Sequence, residues 1–306
     1  MTFCRRNEKL AQIGTNILES TWVEFPQLAH SQIALTWIVY YPPVIVNTGG
    51  AISPAEFWQH QVQGFSYRGG EGIYPASVVK LFYLVAIHEW LEGGMIPSSP
   101  ELERAIKDMI VDSSNDATSF VVDMLSGTTS GPELPPGPFA TWKYQRNIIN
   151  RYYQSLGWEE LAGINVNQKT WGDGPYGRER GFLGELMANR NLLTTDSVAR
   201  LLHAIVGGVA VSSRRSQEMM HLLQRSLISP GEENQITGFL GESLPSNAQL
   251  WSKAGWTSQV RHDAAYIEIP EKPPYLLVVF TEGQNQNREI LPYISRSFVA
   301  ALDNLP

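Results

Sequence analysis

The segments with the strongest β-strand character lie near the two ends of this chain, and this placement restricts the folds that it can adopt. The apolar run at 33–41 (IALTWIVYY) stops at Pro42 and Pro43 and is typical of a buried strand. Three further runs with strand character come close to the carboxyl end, at 250–255, 264–269 and 275–281. The strands from the two chain ends can therefore share one sheet.

Apolar residues recur at helical spacing along most of the chain between and beside these strands. The pattern predicts helices at 10–18, 78–91, 100–109, 117–125, 142–156, 195–206 and 290–302. A short helix is expected to begin at Pro54, with Ser53 as its N-cap. The Gly- and Pro-rich segment 128–139 (TTSGPELPPGPF) predicts a surface loop.

This order of elements predicts an α+β fold, with an antiparallel sheet from both chain ends covered by helices and a mainly helical inserted lobe. We expect residues 1–76 and 207–306 to form the lobe that contains the sheet, and residues 77–206 to form the mainly helical lobe. Both lobes would belong to one structural unit.

Composition excludes several classes of function. Hydrophobic residues make up 43% of the chain and charged residues 17%, so a large buried core is expected rather than disorder. The formal net charge of −7 argues against electrostatic binding to nucleic acid. The six histidines are scattered, so we expect no metal site, and no pattern calls for a cofactor. The single cysteine, Cys4, cannot form an intrachain disulfide.

The amino-terminal residues carry little information about the compartment. The basic segment 1–9 (MTFCRRNEK) is not followed by an apolar stretch, so neither a signal peptide nor a membrane-spanning helix is predicted. Absence of a signal peptide favours the cytoplasm, and a different start of the natural chain would favour the periplasm. The oligomeric state is not indicated by the sequence.

The strongest local pattern is Ser77-Val78-Val79-Lys80 at the start of a long apolar helix. Residues three apart on a helix are neighbours, so the Ser77 hydroxyl and the Lys80 amine would lie on one face. A partly desolvated lysine has a lowered pKa and can act as a base toward a hydroxyl. The alternative is an ordinary capped helix with a surface lysine.

Two later patterns have a similar ambiguity. Ser113 and Asn115 precede an apolar helix, where Ser and Asn are also the residues that favour an N-cap. Lys253 and Gly255 lie on a predicted strand, and a strand lysine is also typical of a sheet edge. Taken singly, each of these patterns has a purely structural explanation.

Together and in this order, the three patterns resemble the penicillin-recognising serine hydrolases, most closely the class A β-lactamases and related low-molecular-weight penicillin-binding proteins. The family's motifs are S-x-x-K, S-D-N and K-T-G. The corresponding residues here are Ser77-x-x-Lys80, Ser113-Ser114-Asn115 and Lys253-Ala254-Gly255. The triplet 261–263 (RHD) and the helix start at 194–196 (TTD) resemble two further family patterns.

The resemblance implies a role for each matching residue. Ser77 would be the nucleophile, with Lys80 as its base or as the group that organises it, and Ser113 would pass a proton to the leaving group. Lys253 would supply positive charge near Ser113 and the substrate carboxylate. The remaining implied substrate-binding residues are Asn115, Gly255, Trp256, Thr257 and Arg261, of which Trp256 would share the oxyanion hole with the Ser77 backbone and Arg261 would be a candidate carboxylate clamp.

The sequence departs from the family pattern at several positions. Ala254 removes the hydroxyl of the K-T-G threonine, for which Thr257 or Ser258 would have to compensate. Class A enzymes activate the hydrolytic water with a loop glutamate, and aligning Trp171 with the aromatic residue before it puts Gly172 at that place. The acidic residues that could substitute for this glutamate are Asp173, Glu179 and Glu185.

The sequence therefore predicts a serine hydrolase that acts through a covalent acyl-enzyme, with hydrolysis of β-lactams as the leading function. The alternatives are a D-Ala-D-Ala peptidase or esterase, and a penicillin-binding protein without turnover. The expected partner is a small β-lactam or a peptidoglycan-like substrate. The glycines at 172, 174 and 177 match a dinucleotide-binding pattern in letters only, because no strand precedes them and no helix is expected to follow.

Overall fold

The apolar run at 33–41 forms a central strand whose residues are buried on both faces, which explains its continuous hydrophobicity. The computed structural model describes residues 3–41, 49–228, 235–303 and 305, and Pro42 and Pro43 lie outside these ranges. Within them one sheet has seven strands: β1 (Cys4–Arg6), β2 (Ile33–Val39), β3 (Val62–Tyr67), β4 (Gln224–Arg225), β5 (Gln249–Trp256), β6 (Val260–Glu268) and β7 (Tyr275–Glu282).

The spatial order of the strands is β1-β3-β2-β7-β6-β5-β4. β2 pairs antiparallel with β7, with Ile33 opposite Thr281, so strands from the two chain ends are direct neighbours. The α+β fold with a sheet from both chain ends is confirmed. The sheet is not antiparallel throughout, because β1 runs parallel to β3. The proposed lobe boundaries at 76/77 and 206/207 stay a prediction.

Helices cover both faces of this sheet. In the described residues they are α1 (Glu8–Glu24), α2 (Pro54–Phe57), α3 (Lys80–Glu92), α4 (Pro100–Val111), α5 (Asn115–Ser126), α6 (Pro136–Arg146), α7 (Ile148–Ser155), α8 (Gly177–Leu183), α9 (Thr195–Val206), α10 (Ser213–Leu223) and α11 (Ile290–Leu302). None of these helices has the length and apolar character needed to span a bilayer.

Two hydrophobic clusters divide the core at the sheet. Successive apolar residues of β2 belong to different clusters, because neighbouring side chains of a strand point to opposite faces. Ile38 faces the cluster built with α3 and α9, whereas Trp37 faces the cluster built with α1 and α11. The Trp37 ring lies 4.6 Å from that of Phe298 on α11. The cluster with α3 is the one that borders the candidate site.

Several local predictions were wrong. The single helix expected at 142–156 is two helices that meet at Asn147, where the backbone leaves the helical region. The end of the predicted loop 128–139 is helical, because Pro136 occupies the first turn of α6, where its missing N–H costs no hydrogen bond. Gly177 begins α8, so a helix does follow the glycine-rich segment.

Strands β1 and β3 and helix α10 were not predicted from the sequence. β1 has only three residues and none of them is fully buried, so it carries no alternating pattern. β3 (VQGFSY) mixes buried and exposed positions around a glycine. Short strands such as β1 and β3 owe their conformation to the neighbouring strand rather than to their own composition.

A buried ion-pair cluster holds α8 against the helical part of the molecule. Arg146 at the end of α6 is fully buried, and its guanidinium lies 2.8 Å from the Glu179 carboxylate and 2.9 Å from that of Asp123. Lys169 adds a contact of 2.7 Å to Asp123. Ser130 donates a hydrogen bond of 2.8 Å to Glu179.

Removal of Arg146 tests this cluster. In Arg146→Leu the Glu179 carboxylate would stay buried without its closest cation, and such a loss typically costs about 3–5 kcal/mol of unfolding free energy. Urea denaturation measures this change. The matched control is Arg104→Leu, which breaks an exposed ion pair with Glu101 and is expected to leave stability unchanged. Equal stability of the two variants would contradict a structural role for the buried cluster.

Candidate active site

Ser77 lies on a strained turn at the amino end of α3. It belongs to the one-turn 3₁₀-helix Ala76–Val79, which leads directly into Lys80. Ala76 has a φ of 46°, a left-handed conformation that costs a residue with a side chain about 1–2 kcal/mol. Val78 and Val79 are fully buried, whereas Ser77 is half-buried. The turn therefore anchors its apolar residues in the core and leaves the serine hydroxyl accessible.

Backbone contacts with β5 and β6 hold this turn in place. A Cβ atom at Gly255 would lie 2.9 Å from both the Pro75 oxygen and the Ser77 nitrogen, so only glycine allows this approach. On β6, His262 Nδ1 accepts a hydrogen bond of 3.1 Å from the Thr281 N–H. Its Nε2 therefore carries the hydrogen and donates to the Tyr74 oxygen at 2.9 Å. Burial lowers the pKa of His262 to about 4, so this tether is neutral.

Lys80 is fully buried among neutral acceptors. Its Nζ hydrogen-bonds the Ser113 carbonyl oxygen, the Asn115 Oδ1 at 2.9 Å and the Ser113 Oγ at 3.2 Å. In the described part of the chain, no carboxylate lies within ion-pair distance of this amine. Burial lowers the pKa of Lys80 to about 7, so a large neutral fraction exists at physiological pH.

Ser113 sits between two lysines. It follows α4 in a left-handed conformation with a φ of 55°, and its Oγ is 2.9 Å from the Nζ of Lys253 as well as 3.2 Å from that of Lys80. The N-cap of α5 is Ser114, whose hydroxyl accepts from the Ala117 N–H. Capping thus occupies the middle serine, while the Ser113 and Asn115 side chains contact Lys80.

Lys253 on β5 is fully buried and also lacks an ion-pair partner among the described residues. Its Nζ donates to Ser113 Oγ, to the Ala254 oxygen at 2.9 Å and to Gln235 Oε1 at 2.6 Å. Burial lowers the pKa of Lys253 well below its usual value, and the neighbouring cations Lys80 and Arg225 lower it further. Two buried amines, neither paired with a carboxylate among the described residues, therefore contact Ser113.

Trp256 at the end of β5 follows Gly255, the glycine that approaches the serine turn. The Thr257 N–H donates to Val260 on β6 at 3.0 Å. Because successive N–H groups of a strand alternate in direction, the Trp256 N–H points away from β6, to the opposite edge of β5. The Trp256 side chain is 47% exposed and packs on Phe239, with ring centroids 5.6 Å apart.

The remaining predicted residues lie at the margin of this group. The Thr257 Oγ1 accepts a hydrogen bond from the Gln259 N–H within the turn between β5 and β6. Arg261 on β6 starts on the sheet face opposite Lys253; its guanidinium packs 4.8 Å from the Phe239 ring centroid and donates to the Asn285 oxygen. Ala254 packs in the core on that same face.

The three carboxylates predicted as substitutes for the water-activating glutamate do not lie beside the lysines. Glu179 is fully buried and belongs to the ion-pair cluster with Arg146. Asp173 and Glu185 are exposed at the surface. Sequence reasoning also missed Gln235, which contacts Lys253, and the tethering role of His262. Gln235 belongs to no recognisable motif, so only its tertiary contacts reveal it.

Substitution of Gly255 tests the contact between β5 and the serine turn. Gly255→Ala would force the two backbones apart, and such overpacking typically costs about 1–3 kcal/mol of unfolding free energy. The control is Gly137→Ala, because a Cβ atom at that exposed position meets nothing within 4 Å. Thermal denaturation of both variants checks the difference, and an unchanged Gly255→Ala protein would mean that the contact is not tight.

Known proteins share this fold and this sequence pattern. The sequence profile of the β-lactamase enzyme family matches residues 94–301, a segment that includes Ser113 and Lys253 but not Ser77 or Lys80. No curated protein matches the chain.

Solved structures give the same fold over nearly the whole chain. A β-lactamase from Sphaerobacter thermophilus is 18% identical with a TM-score of 0.65, covering 95% of this chain and 98% of its own. A variant of PBP-A in an acyl-enzyme complex with penicillin G is 16% identical with a TM-score of 0.66, covering 98% of each chain. A β-lactamase from Xanthomonas campestris is 14% identical with a TM-score of 0.61, covering 95% of this chain and 98% of its own.

The family match extends over most of the chain, and the architecture agrees with it across the part that the profile leaves out. The protein is thus a hydrolase of the β-lactamase type, and the chain belongs to the β-lactamase enzyme family.

Proposed function

We propose that this protein opens β-lactam rings by forming a covalent ester at Ser77. The observation that carries the proposal is the position of the Ser113 hydroxyl between two buried lysines, Lys80 and Lys253, beside the turn that presents Ser77. A hydroxyl held between two amines of lowered pKa is suited to pass a proton. The S-x-x-K order supplies the nucleophile and its base.

Acylation would begin with attack of Ser77 Oγ on the lactam carbonyl carbon while Lys80 takes the hydroxyl proton. In the neutral amine, two N–H groups can donate to the Ser113 carbonyl oxygen and to Asn115 Oδ1, which leaves the lone pair for this proton. The backbone N–H groups of Ser77 and Trp256 would stabilise the oxyanion, and such a donor typically contributes about 3–4 kcal/mol.

Collapse of the tetrahedral intermediate would break the ring carbon–nitrogen bond. Ser113 would donate its proton to the departing nitrogen and regain one from Lys80 through their contact of 3.2 Å. The proton lost by Ser77 thus ends on the opened ring, and both lysines return to their starting state. The amines of Lys80 and Lys253 would hold their protons more strongly beside an anion, which suits the carboxylate that penicillins and cephalosporins carry next to this nitrogen.

Slow deacylation is a second candidate behaviour, favoured by a specific observation. Glu179 is held by Arg146, and Asp173 and Glu185 are exposed, so none of these three stands ready to activate a water. In that case the acyl-enzyme would persist, and the protein would act as a penicillin-binding protein or act on a peptide substrate that ends in D-Ala-D-Ala. The two behaviours share Ser77 and differ only in the second step.

Incubation with penicillin G tests the nucleophile. We expect the intact mass to rise by the mass of the penicillin within minutes, and Ser77→Ala to show no adduct. The exposed Ser20→Ala on α1 is a matched control that should be acylated like the wild type. A chromogenic cephalosporin followed in parallel distinguishes steady turnover from a persistent adduct. An adduct that survives in Ser77→Ala would rule out this nucleophile.

The pH dependence of acylation tests the base. Only neutral Lys80 can accept the proton, and its neutral fraction rises with pH through the lowered pKa of about 7. The acylation rate constant should therefore increase about tenfold per pH unit between pH 5 and 6 and level off above pH 8. Rapid-quench mass spectrometry between pH 5 and 9 measures this profile. A midpoint near pH 10 would show that Lys80 behaves as an ordinary lysine and is not the base.

A further inference from the structure

Gln235 is the side chain that joins the second lysine to the rest of the site. It is buried, and its Oε1 accepts two hydrogen bonds, one of 2.6 Å from Lys253 Nζ and one of 3.0 Å from the Ala254 N–H. One amide oxygen therefore holds both the side chain of Lys253 and the backbone of the residue after it. No family motif includes this position, and Gln235 takes no part in the proton transfers proposed for acylation.

The other end of the same amide holds the helix that leads to Ser113. Its Nε2 donates to the carbonyl oxygens of Ile110 and Val111, at 3.0 Å each. These oxygens belong to the last turn of α4, where carbonyl groups have no partner inside the helix. Gln235 thus links the end of α4 to β5. The contact between Ser113, which follows α4, and Lys253 on β5 depends on the same separation.

Arg225 makes a similar bridge with a charged group. Its guanidinium donates to the Ile110 oxygen at 3.1 Å and to the Ser252 oxygen at 2.9 Å. Gln235, the bridge that contacts Lys253, is therefore neutral, whereas Arg225, the bridge beside it, is positively charged. A carboxylate at position 235 would neutralise Lys253, and its second oxygen could not donate to Ile110 and Val111 as the Gln235 amide does.

The groups that act electrostatically on Lys253 are few among the described residues. Lys80 on α3 and Arg225 on β4 disfavour its proton, and Asp263 on β6 favours it. Asp263 lies buried on the opposite sheet face, where its oxygens accept from the backbone N–H groups of Leu240 and Ala264. The three hydrogen-bond acceptors of Lys253 are Ser113 Oγ, Gln235 Oε1 and the Ala254 oxygen, and all three are neutral.

We propose that Gln235 is a positioning residue that holds Lys253 against Ser113 through a neutral acceptor, so that the counter-charge of this ammonium comes from the bound substrate. The inference deepens the proposed function and rests on it for the identity of the substrate, an anion with a carboxylate near the scissile bond. Binding of such an anion would strengthen the hold of Lys253 on its proton. A permanent carboxylate at position 235 would provide that charge in advance and compete with the substrate.

Titration of Lys253 in the free protein tests the positioning role without any substrate. With ¹³C-labelled lysine, the Lys253 signal is assigned from its absence in Lys253→Met. We expect Gln235→Glu to raise the pKa of Lys253 by about one to three units, because an opposite charge would lie in direct contact. Gln235→Met removes the acceptor and should lower that pKa. The control Gln249→Glu introduces the same charge at an exposed position of β5, the strand that carries Lys253. It should leave the pKa of Lys253 unchanged.

Acylation by penicillin G supplies the second measurement on the same variants. Gln235→Met should lose about ten- to a hundredfold in acylation efficiency, as expected for a lost hydrogen bond to a charged group. Gln235→Glu should lose efficiency mainly through weaker substrate binding, because its carboxylate competes with that of the substrate. An unchanged Lys253 titration in Gln235→Glu, or a Gln235→Met protein that titrates and reacts like the wild type, would overturn the proposal.

The two measurements separate this proposal from the proposed function. If the wild type forms no adduct, the function fails, and the titration alone decides whether Gln235 controls Lys253. Thermal denaturation of each variant identifies any that does not fold, and the remaining Gln235 variant then decides, because the two substitutions are expected to shift the Lys253 pKa in opposite directions.

Discussion

The proposed chemistry of this site depends on burying two lysine amines in contact with one serine hydroxyl. Lys80 and Lys253 are both fully buried, both contact Ser113 Oγ, and neither has a carboxylate partner among the described residues. Desolvation without a counter-charge makes the protonated form of each lysine costly and lowers its pKa. The same condition favours binding of an anion, so the proton transfer and the substrate attraction that we propose have one physical origin.

The scaffold stabilises this arrangement through close packing and through hydrogen bonds from side chains to backbone oxygens. Ser77 directly follows Ala76, which has a left-handed backbone conformation, and Ser113 has such a conformation itself. Strain of this kind persists only where the surroundings determine the conformation. Gly255 and His262 hold the first turn, while Gln235 and Arg225 hold the end of α4 that leads to the second.

In the proposed function, the separation of acylation from deacylation follows from where the acidic side chains lie. Glu179, an acidic residue of the loop between the second and third motifs, is used to stabilise α8 through Arg146 and the cluster around Asp123. This carboxylate is not available as a base for water, because its oxygens already accept hydrogen bonds from Arg146 and Ser130. The acid that secures the loop is thus distinct from any group that completes turnover.

The sequence by itself determined the strands from both chain ends, most helices and the order of the three motifs, because these depend on local periodicity and on spacing along the chain. It could not determine that α6 and α7 meet at Asn147, or that β1 lies beside β3, since neither is set by a local pattern. Only the tertiary structure decided that Ser113 lies between two lysines and that Gln235 contacts one of them. Contacts between residues far apart in sequence arise from packing the whole chain, and no short pattern encodes them.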